Sequence, residues 1–273
     1  MPARNHSTIR RAGAAGEGPG EGERVMNSWA DRRVVVTGGS RGIGLAVAEE
    51  FRRRNARIAI CARDAGGLDR ARAALGGTGS GGVLAAVCDV SRRPEVNRFF
   101  DRVEAEFGGF DVLVHNAGIG RFGALGTLAE DAWREVVEVD LTGSFHVLQE
   151  GVRRLGRNPG MPKGWILTMG SLSYRMYVPG NAAYASAKAA QKTLADHLFE
   201  ECREEGILGT FLAIGSVNTG FSTRTPDTGW KMQPAEIAAA AGKLAELAFA
   251  SPNLCVSYAE LRVRRPLPPG RKE

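Results

Sequence analysis

Between Trp29 and Arg264, short apolar runs alternate with longer helix-like stretches. The apolar runs predict β-strands near residues 33–37, 57–62, 83–88, 111–115, 165–170, 208–214 and 254–263. The longer stretches predict helices near 43–54, 65–75, 92–107, 128–155, 183–205 and 234–250. The first run, Arg33 to Thr37 (RVVVT), is rich in β-branched residues and reads as a buried strand. Element boundaries carry their own signals. Pro94 and Pro234 suit the first turns of their helices. Asp64 suits a helix cap, and Thr127-Leu-Ala-Glu130 reads as a capping box opening the long fourth helix. Strict alternation of strand and helix predicts an α/β domain with a parallel sheet of roughly seven strands, covered by helices on both faces.

The ends of the chain have a different composition. Residues 1–28 are rich in Gly, Ala, Arg and Glu and poor in apolar residues, so they are expected to be disordered. They contain no signal-peptide core, and Glu17, Glu21 and Glu23 argue against a transit peptide. Met26 lies just before the first strand and is an alternative start, with residues 1–25 then absent from the native protein. A single catalytic domain is expected over 29–265, with 266–273 as a flexible, Pro-containing tail.

Between strand one and helix one lies Gly38-Gly-Ser-Arg-Gly42-Ile-Gly44. A glycine-rich turn opening a helix makes an anion site, because the helix N-terminus presents unpaired N–H groups and positive dipole charge. Gly38 allows the tight turn, Gly42 lets backbone approach a pyrophosphate, and Gly44 permits close packing of helix on strand. In a chain with 36 glycines such a triplet alone also fits a plain structural turn. Its place between strand and helix favours a doubly wound Rossmann-type dinucleotide site.

A second constellation supplies proton chemistry. Tyr184-Ala-Ser-Ala-Lys188 sets a phenol and an amine one helical turn apart on one face. The ammonium is expected to bring the phenol down from its usual pKa of about 10 towards working pH. Ser171, thirteen residues before Tyr184, offers a hydroxyl to hold a substrate oxygen beside it. That is a proton-transfer site for a carbonyl or an alcohol.

Composition narrows the remaining classes. Hydrophobic residues make up 43% of the chain, enough for a large core, yet no apolar run approaches the ~18 residues of a membrane span. Cys61, Cys88, Cys202 and Cys255 lack CxxC spacing and read as free thiols in a reducing compartment, so the cytoplasm is the expected location. His6, His115, His146 and His197 are scattered, and no metal site is expected. The net charge of +6 comes without a nucleic-acid motif or an aromatic stripe, so nucleic acid is not an expected partner. Arginine instead suits solvated helix faces and a phosphate-bearing cofactor.

Taken together, these segments resemble the short-chain dehydrogenase/reductase family, from about Arg32 to about Arg264. Thr37 with the glycine turn, Cys88-Asp-Val90, Asn116-Ala-Gly118, Ser171, Tyr184 with Lys188, and Gly215-Ser-Val-Asn-Thr219 occur in the family's order and near its spacing. The resemblance implies that Ser40, Arg41, Ile43, Asp89, Val90, Asn116, Ala117, Gly118, Gly215, Val217 and Thr219 join the glycines around the cofactor. It implies Tyr184 as general acid or base, Ser171 as donor to the substrate oxygen, and Lys188 on the nicotinamide ribose as well as beside Tyr184. At the end of the second strand, where NAD sites place an acid, Ala62 is followed by Arg63; with Arg41 this pair suits a 2′-phosphate, so NADP(H) is expected over NAD(H).

The chain departs from the pattern in three places. Asp140 stands where the family commonly has Asn, and is expected to take part in catalysis by stabilising the Lys188 ammonium. Ile214 stands where a proline usually precedes Gly215, which puts the local loop in doubt. The end, Cys255 to Pro266, looks more like small-molecule carbonyl and hydroxy-acid reductases than like the fatty-acid-synthesis branch.

The expected activity is reduction of a small ketone or aldehyde, with secondary-alcohol oxidation or 3-oxoacyl reduction as alternatives and a non-catalytic dinucleotide-binding regulator as a remote one. Substrate choice is expected in residues 218–233, with Phe221, Trp230 and Met232 as apolar lining and Arg224 or Lys231 for an anionic group. Tyr174, Arg175, Met176 and Tyr177 form the expected opposite wall. Val136, Val139, Phe145, Leu148, Leu194, Leu198 and Phe199 fit either the core or the seam of a homodimer or homotetramer.

Overall fold

The computed structural model describes residues 29–76, 82–221, 229–251 and 253–264. The expectations for 1–28, Arg224 and the tail 266–273 lie outside the described residues. Strands and helices alternate as β1 (Arg33–Thr37), α1 (Gly42–Arg53), β2 (Arg57–Ala62), α2 (Ala65–Ala74), β3 (Val83–Val87), α3 (Arg93–Phe107) and β4 (Val112–His115). They continue as α4 (Glu130–Val136), α5 (Gly143–Leu155), β5 (Gly164–Met169), α6 (Ala182–Cys202), β6 (Ile207–Ile214), α7 (Pro234–Ala250) and β7 (Tyr258–Leu261). The seven strands are all parallel, in the order β3-β2-β1-β4-β5-β6-β7.

Side-chain alternation explains why both faces are covered. Val34 and Val36 of β1 and Ile58 and Ile60 of β2 pack with Val47 and Phe51 of α1 and Ile237 and Ala241 of α7. Val35 and Ala59, one residue out of step, pack with Phe99, Phe100 and Val103 of α3 and Val147 and Leu148 of α5. The chain builds β1 to β3 outward in one direction, then returns to place β4 on the other side of β1. That reversal opens a crevice at the carboxyl ends of β1 and β4, where ligands bind in such sheets.

Two local expectations are corrected. The helix expected over 128–155 is interrupted: Val137–Thr142 widens into a π-helical turn between α4 and α5. The Thr127 capping box does not form, because Thr127 N–H closes a turn onto Ala124 O at 2.9 Å and Ala129 is the residue before the helix, with no side-chain cap. A capping box forms instead at α7, where Gln233 N–H donates to Glu236 Oε2 at 2.6 Å. Asp64 caps α2 as expected, accepting from Gly67 N–H at 3.0 Å. Pro94 and Pro234 occupy first turns. At the Ile214 departure, β6 runs on to Ile214, and Gly215 N–H is held by Leu261 O at 2.9 Å. Val136, Val139, Leu148 and Leu198 are buried in the chain's own core, whereas Phe145 is 46% exposed. Cys61, Cys88 and Cys202 are buried free thiols, and Cys255 is partly buried.

Candidate active site

The crevice is a cleft of about 1370 Å³ along the carboxyl edge of the sheet. Pockets for a single drug-sized ligand measure ~300–1,000 Å³, so this cleft is large enough for more than one ligand. Every residue expected around the cofactor lines it, from Gly38 and Arg41 through Asp89 and Asn116 to Gly215 and Thr219. Ser171, Tyr184 and Lys188 line its far end.

The glycine turn is built for an anion. Gly42 has φ +59°, a left-handed conformation that costs glycine little. A Cβ on Gly44 would meet Gly38 O at 2.4 Å, so α1 starts directly against the turn. No side chain caps that helix end. Its first N–H groups have no intrahelical acceptor, and Gly42, Ile43 and Gly44, which carry them, line the cleft. Asn116 does something the sequence did not reveal. Its Nδ2 donates to Thr37 O at 2.9 Å and to Gly38 O at 3.2 Å, while its N–H donates to Thr37 Oγ1 at 3.0 Å. It braces the turn. Asp89 has one carboxylate oxygen engaged, with Oδ1 accepting from Ser91 N–H at 3.0 Å and from Ser91 Oγ at 2.7 Å.

Arg41 and Arg63 both line the end of the cleft beside the glycine turn, and so does Arg70. The Arg63 guanidinium is half exposed and lies 4.0 Å from Glu135, whose two oxygens are already held by Arg121 at 2.8 Å each. Asp64 is turned to its capping duty, so the acid nearest the end of β2 serves the α2 backbone.

At the far end, Ser171 leads into a short helical turn, Leu172–Tyr174, and its Oγ accepts from Ser173 N–H at 3.1 Å. That leaves its proton free, and the hydroxyl acts on Tyr184 to lower the phenol's pKa. Lys188 Nζ lies 5.4 Å from the centre of the Tyr184 ring, one turn along α6. The expected downward pKa shift of the phenol is not what the structure gives. Burial raises it most strongly, the Lys188 charge and the Ser171 hydrogen bond lower it, and Asp140 raises it again, leaving the phenol above its ordinary range. Tyr184 is partly buried against the cleft wall, and one ammonium does not offset the desolvation of its phenol.

Asp140 lies behind Lys188, outside the cleft lining, and is completely buried. Its Oδ1 accepts from Ile119 N–H at 2.7 Å, and its Oδ2 is 3.4 Å from Lys188 Nζ. Burial pushes its carboxyl above the ordinary carboxylate range, against the pull of Lys188. For Lys188 burial favours the neutral amine, but the negative charges offered by Tyr184 and Asp140 prevail and hold the ammonium above its ordinary range. His115, at the end of β4, is buried and pushed down to about 3, first by burial and then by the Lys188 charge, so it stays neutral. Among the described residues no group of metal-ligating side chains comes together.

A family model for short chain dehydrogenases matches residues 32–229. The chain belongs to the short chain dehydrogenase family. As a short-chain dehydrogenase it is an oxidoreductase that interconverts C=O and CH–OH groups with a nicotinamide dinucleotide. It is 32% identical to the 3-oxoacyl-acyl-carrier-protein reductase MabA of Mycobacterium avium over 192 residues, which is 70% of this chain and 69% of that protein. It is 31% identical to the corresponding reductase FabG of Escherichia coli K12 over 193 residues, 71% of this chain and 76% of that one. A solved alcohol dehydrogenase from Thermococcus sibiricus, complexed with 5-hydroxy-NADP, superposes with a TM-score of 0.77 at 30% identity, covering 86% of this chain and 98% of that one.

In this short-chain dehydrogenase the substrate end differs from expectation. Phe221, Trp230 and Lys231 line the cleft, but Met232 turns into the core beneath Gly215 and its backbone bridges to Val217. Of the expected opposite wall only Met176 lines the cleft. Tyr174 stands edge-on to Phe211 and reaches Tyr258, Arg175 pairs with Glu260, and Tyr177 is 91% exposed. Val178, Pro179 and Phe122 take their places. The Phe122 and Phe221 rings lie 5.9 and 5.6 Å from the Tyr184 ring, giving an apolar collar around the phenol.

Proposed function

We propose that this enzyme reduces a ketone or aldehyde to an alcohol with NADPH. The observation that carries the reading is the cluster of Ser171, Tyr184 and Lys188 at one end of a cleft whose other end is lined by Arg41 and Arg63. When bound, the nicotinamide supplies the hydride. Tyr184 then gives its phenolic proton to the forming alkoxide as general acid. A phenol above its ordinary range is fully protonated at neutral pH, which suits that direction. Ser171 donates to the same oxygen and spreads the developing charge. Lys188 faces the phenol from beneath and stabilises the phenolate left behind. Arg41 and Arg63 would hold a 2′-phosphate by charge-assisted hydrogen bonds. The uncapped N-terminus of α1 would take the pyrophosphate.

The collar of Phe122 and Phe221 supports a carbonyl carbon with apolar substituents. The likeness to two 3-oxoacyl-acyl-carrier-protein reductases supports a second reading, a 3-oxoacyl thioester. A homodimer or homotetramer in the cytoplasm fits the exposed Phe145 and Trp133 and the free thiols. Among the described residues no helix is long and apolar enough to cross a membrane.

The test is a panel of aliphatic and aryl ketones, aldehydes and acetoacetyl thioesters, followed by loss of reduced-nicotinamide absorbance. Fluorescence titration with NADPH and NADH runs beside it. NADPH is expected to bind at least about ten-fold tighter, as two added charge-assisted contacts allow. Equal affinities refute the role given to Arg41 and Arg63. Tight NADPH binding without turnover across the whole panel favours a regulator instead.

Asp140 bears on the pH dependence. The reverse reaction, alcohol oxidation, needs the Tyr184 phenolate, so its rate rises with pH below the phenol's pKa. Asp140 pushes that pKa up. Asp140→Asn removes the push, and the alkaline rise in oxidation rate is expected to move to lower pH. An unchanged pH–rate curve removes Asp140 from the mechanism.

A further inference from the structure

The group that holds the Lys188 ammonium in place is Gln191, a residue buried to 1% exposure on the same face of α6. Its Oε1 accepts from Lys188 Nζ at 2.8 Å, shorter than the 3.4 Å between Nζ and Asp140 Oδ2. Its Nε2 donates to Asp140 O at 2.6 Å and to Ser144 Oγ at 2.8 Å. The orientation of this amide is unambiguous. Turned over, its NH₂ would face an ammonium, and its oxygen would face a carbonyl.

The π-helical turn makes this possible. Gly143 N–H donates to Glu138 O, five residues back, so the helix widens just where Asp140 sits. Asp140 O then accepts from the Gln191 amide and from the Ser144 hydroxyl. Widened turns of this kind occur often at functional sites. The result is a closed buried network in which Gln191 joins α6 to the turn and fixes the ammonium.

We propose that Gln191 is a positioning residue that pins Lys188 between Asp140 and the Tyr184 ring and so sets how readily the phenol yields its proton. This rests on the reading of Tyr184 as the proton donor. The charged and titratable groups facing Lys188 are Tyr184 from α6, Asp140 from the widened turn and His115 from β4. His115 stays neutral, so it adds no charge against the ammonium, and no hydrogen bond joins it to Lys188. Without Gln191, the partner left to Nζ is the Asp140 carboxylate at 3.4 Å, which like Gln191 lies outside the cleft lining. The ammonium then draws towards Asp140 and stabilises the phenolate less.

The experiment is an ultraviolet difference titration of tyrosinate in the free enzyme, with the Tyr184→Phe protein subtracted to isolate Tyr184. It needs neither cofactor nor substrate. Gln191→Leu is expected to move the Tyr184 titration to higher pH by about half a unit or more. Gln191→Met, which keeps length but not the hydrogen bonds, is expected to match it, and stands in if the leucine variant does not fold. Gln191→Glu keeps an acceptor for Nζ but adds a second carboxylate, and is expected to move the titration further in the same direction. A titration unmoved in folded Gln191 variants, with only the melting temperature lowered, overturns the positioning role and leaves a packing role. The reading beneath it is separable: a Tyr184→Phe enzyme with normal turnover sinks Tyr184 as proton donor whatever the titrations give.

Discussion

Replacing Tyr184 by Phe lowers turnover by about 10²- to 10⁴-fold, the range for loss of a positioned general acid. The substitution deletes one oxygen and keeps the ring. The edge contact to Phe122 at 5.9 Å and the tilted contact to Phe221 at 5.6 Å survive. The Lys188–Asp140 pair and the Gln191 bond do not involve that oxygen. The melting temperature and NADPH affinity therefore stay close to those of the native enzyme, and the loss falls on the chemical step. Steady-state rates with the best carbonyl compound of the panel, set beside a thermal melt and a cofactor titration, check this. Undiminished turnover would remove the phenol from the reaction and leave only the nucleotide cleft as a functional assignment.

Gly44→Ala damages the opposite end of the cleft. The added methyl would lie 2.4 Å from Gly38 O and 2.5 Å from Asn116 Nδ2. Gly38 O is backbone and cannot swing aside. Asn116 Nδ2 is committed to Thr37 O and Gly38 O. The start of α1 must therefore lift off the turn, breaking the brace. Overpacking of this kind costs about 1–3 kcal/mol, and the displaced N–H groups no longer converge on a phosphate. Stability falls by that amount, and NADPH affinity falls more than about ten-fold, one lost charge-assisted hydrogen bond or more. Gly126→Ala is the control. It has nothing within 4 Å of the new atom, so its effect stays within about ±0.5 kcal/mol. Equal behaviour of the two variants would mean that the turn tolerates the displacement.

The architecture was legible wherever local pattern and tertiary role coincide. Val34, Val35 and Val36 are apolar on both sides, as a strand covered on both faces requires. Tyr184 and Lys188 are neighbours on any helix, so their pairing followed from spacing alone. Gln191 follows Lys188 by three residues and was open to the same argument, but glutamine on a helix reads as surface unless burial is known. What spacing does not carry is the sum of long-range effects. The phenol's upward shift depends on how much protein surrounds it, and that outweighs the adjacent charge. The widened turn at Val137–Thr142 has no composition mark of its own. Thr127 and Glu130 match a capping box in letters, yet a turn onto Ala124 uses Thr127 first. The substrate wall failed for a similar reason: Tyr174 and Arg175 find partners near β7, far along the chain, that draw them out of the cleft.

Asn116 stitches together two strand ends that the chain reaches at quite different moments, since its carboxamide ties the tip of β1 to the segment leaving β4. The strand order reverses at that seam, with the glycine turn on one side and the strands leading to Ser171 and Tyr184 on the other. Cutting this stitch would leave the β1–β4 pairing in place but free the tip of β1 and the glycine turn that follows it. Nucleotide and phenol would then lose their mutual alignment even with every reacting group intact.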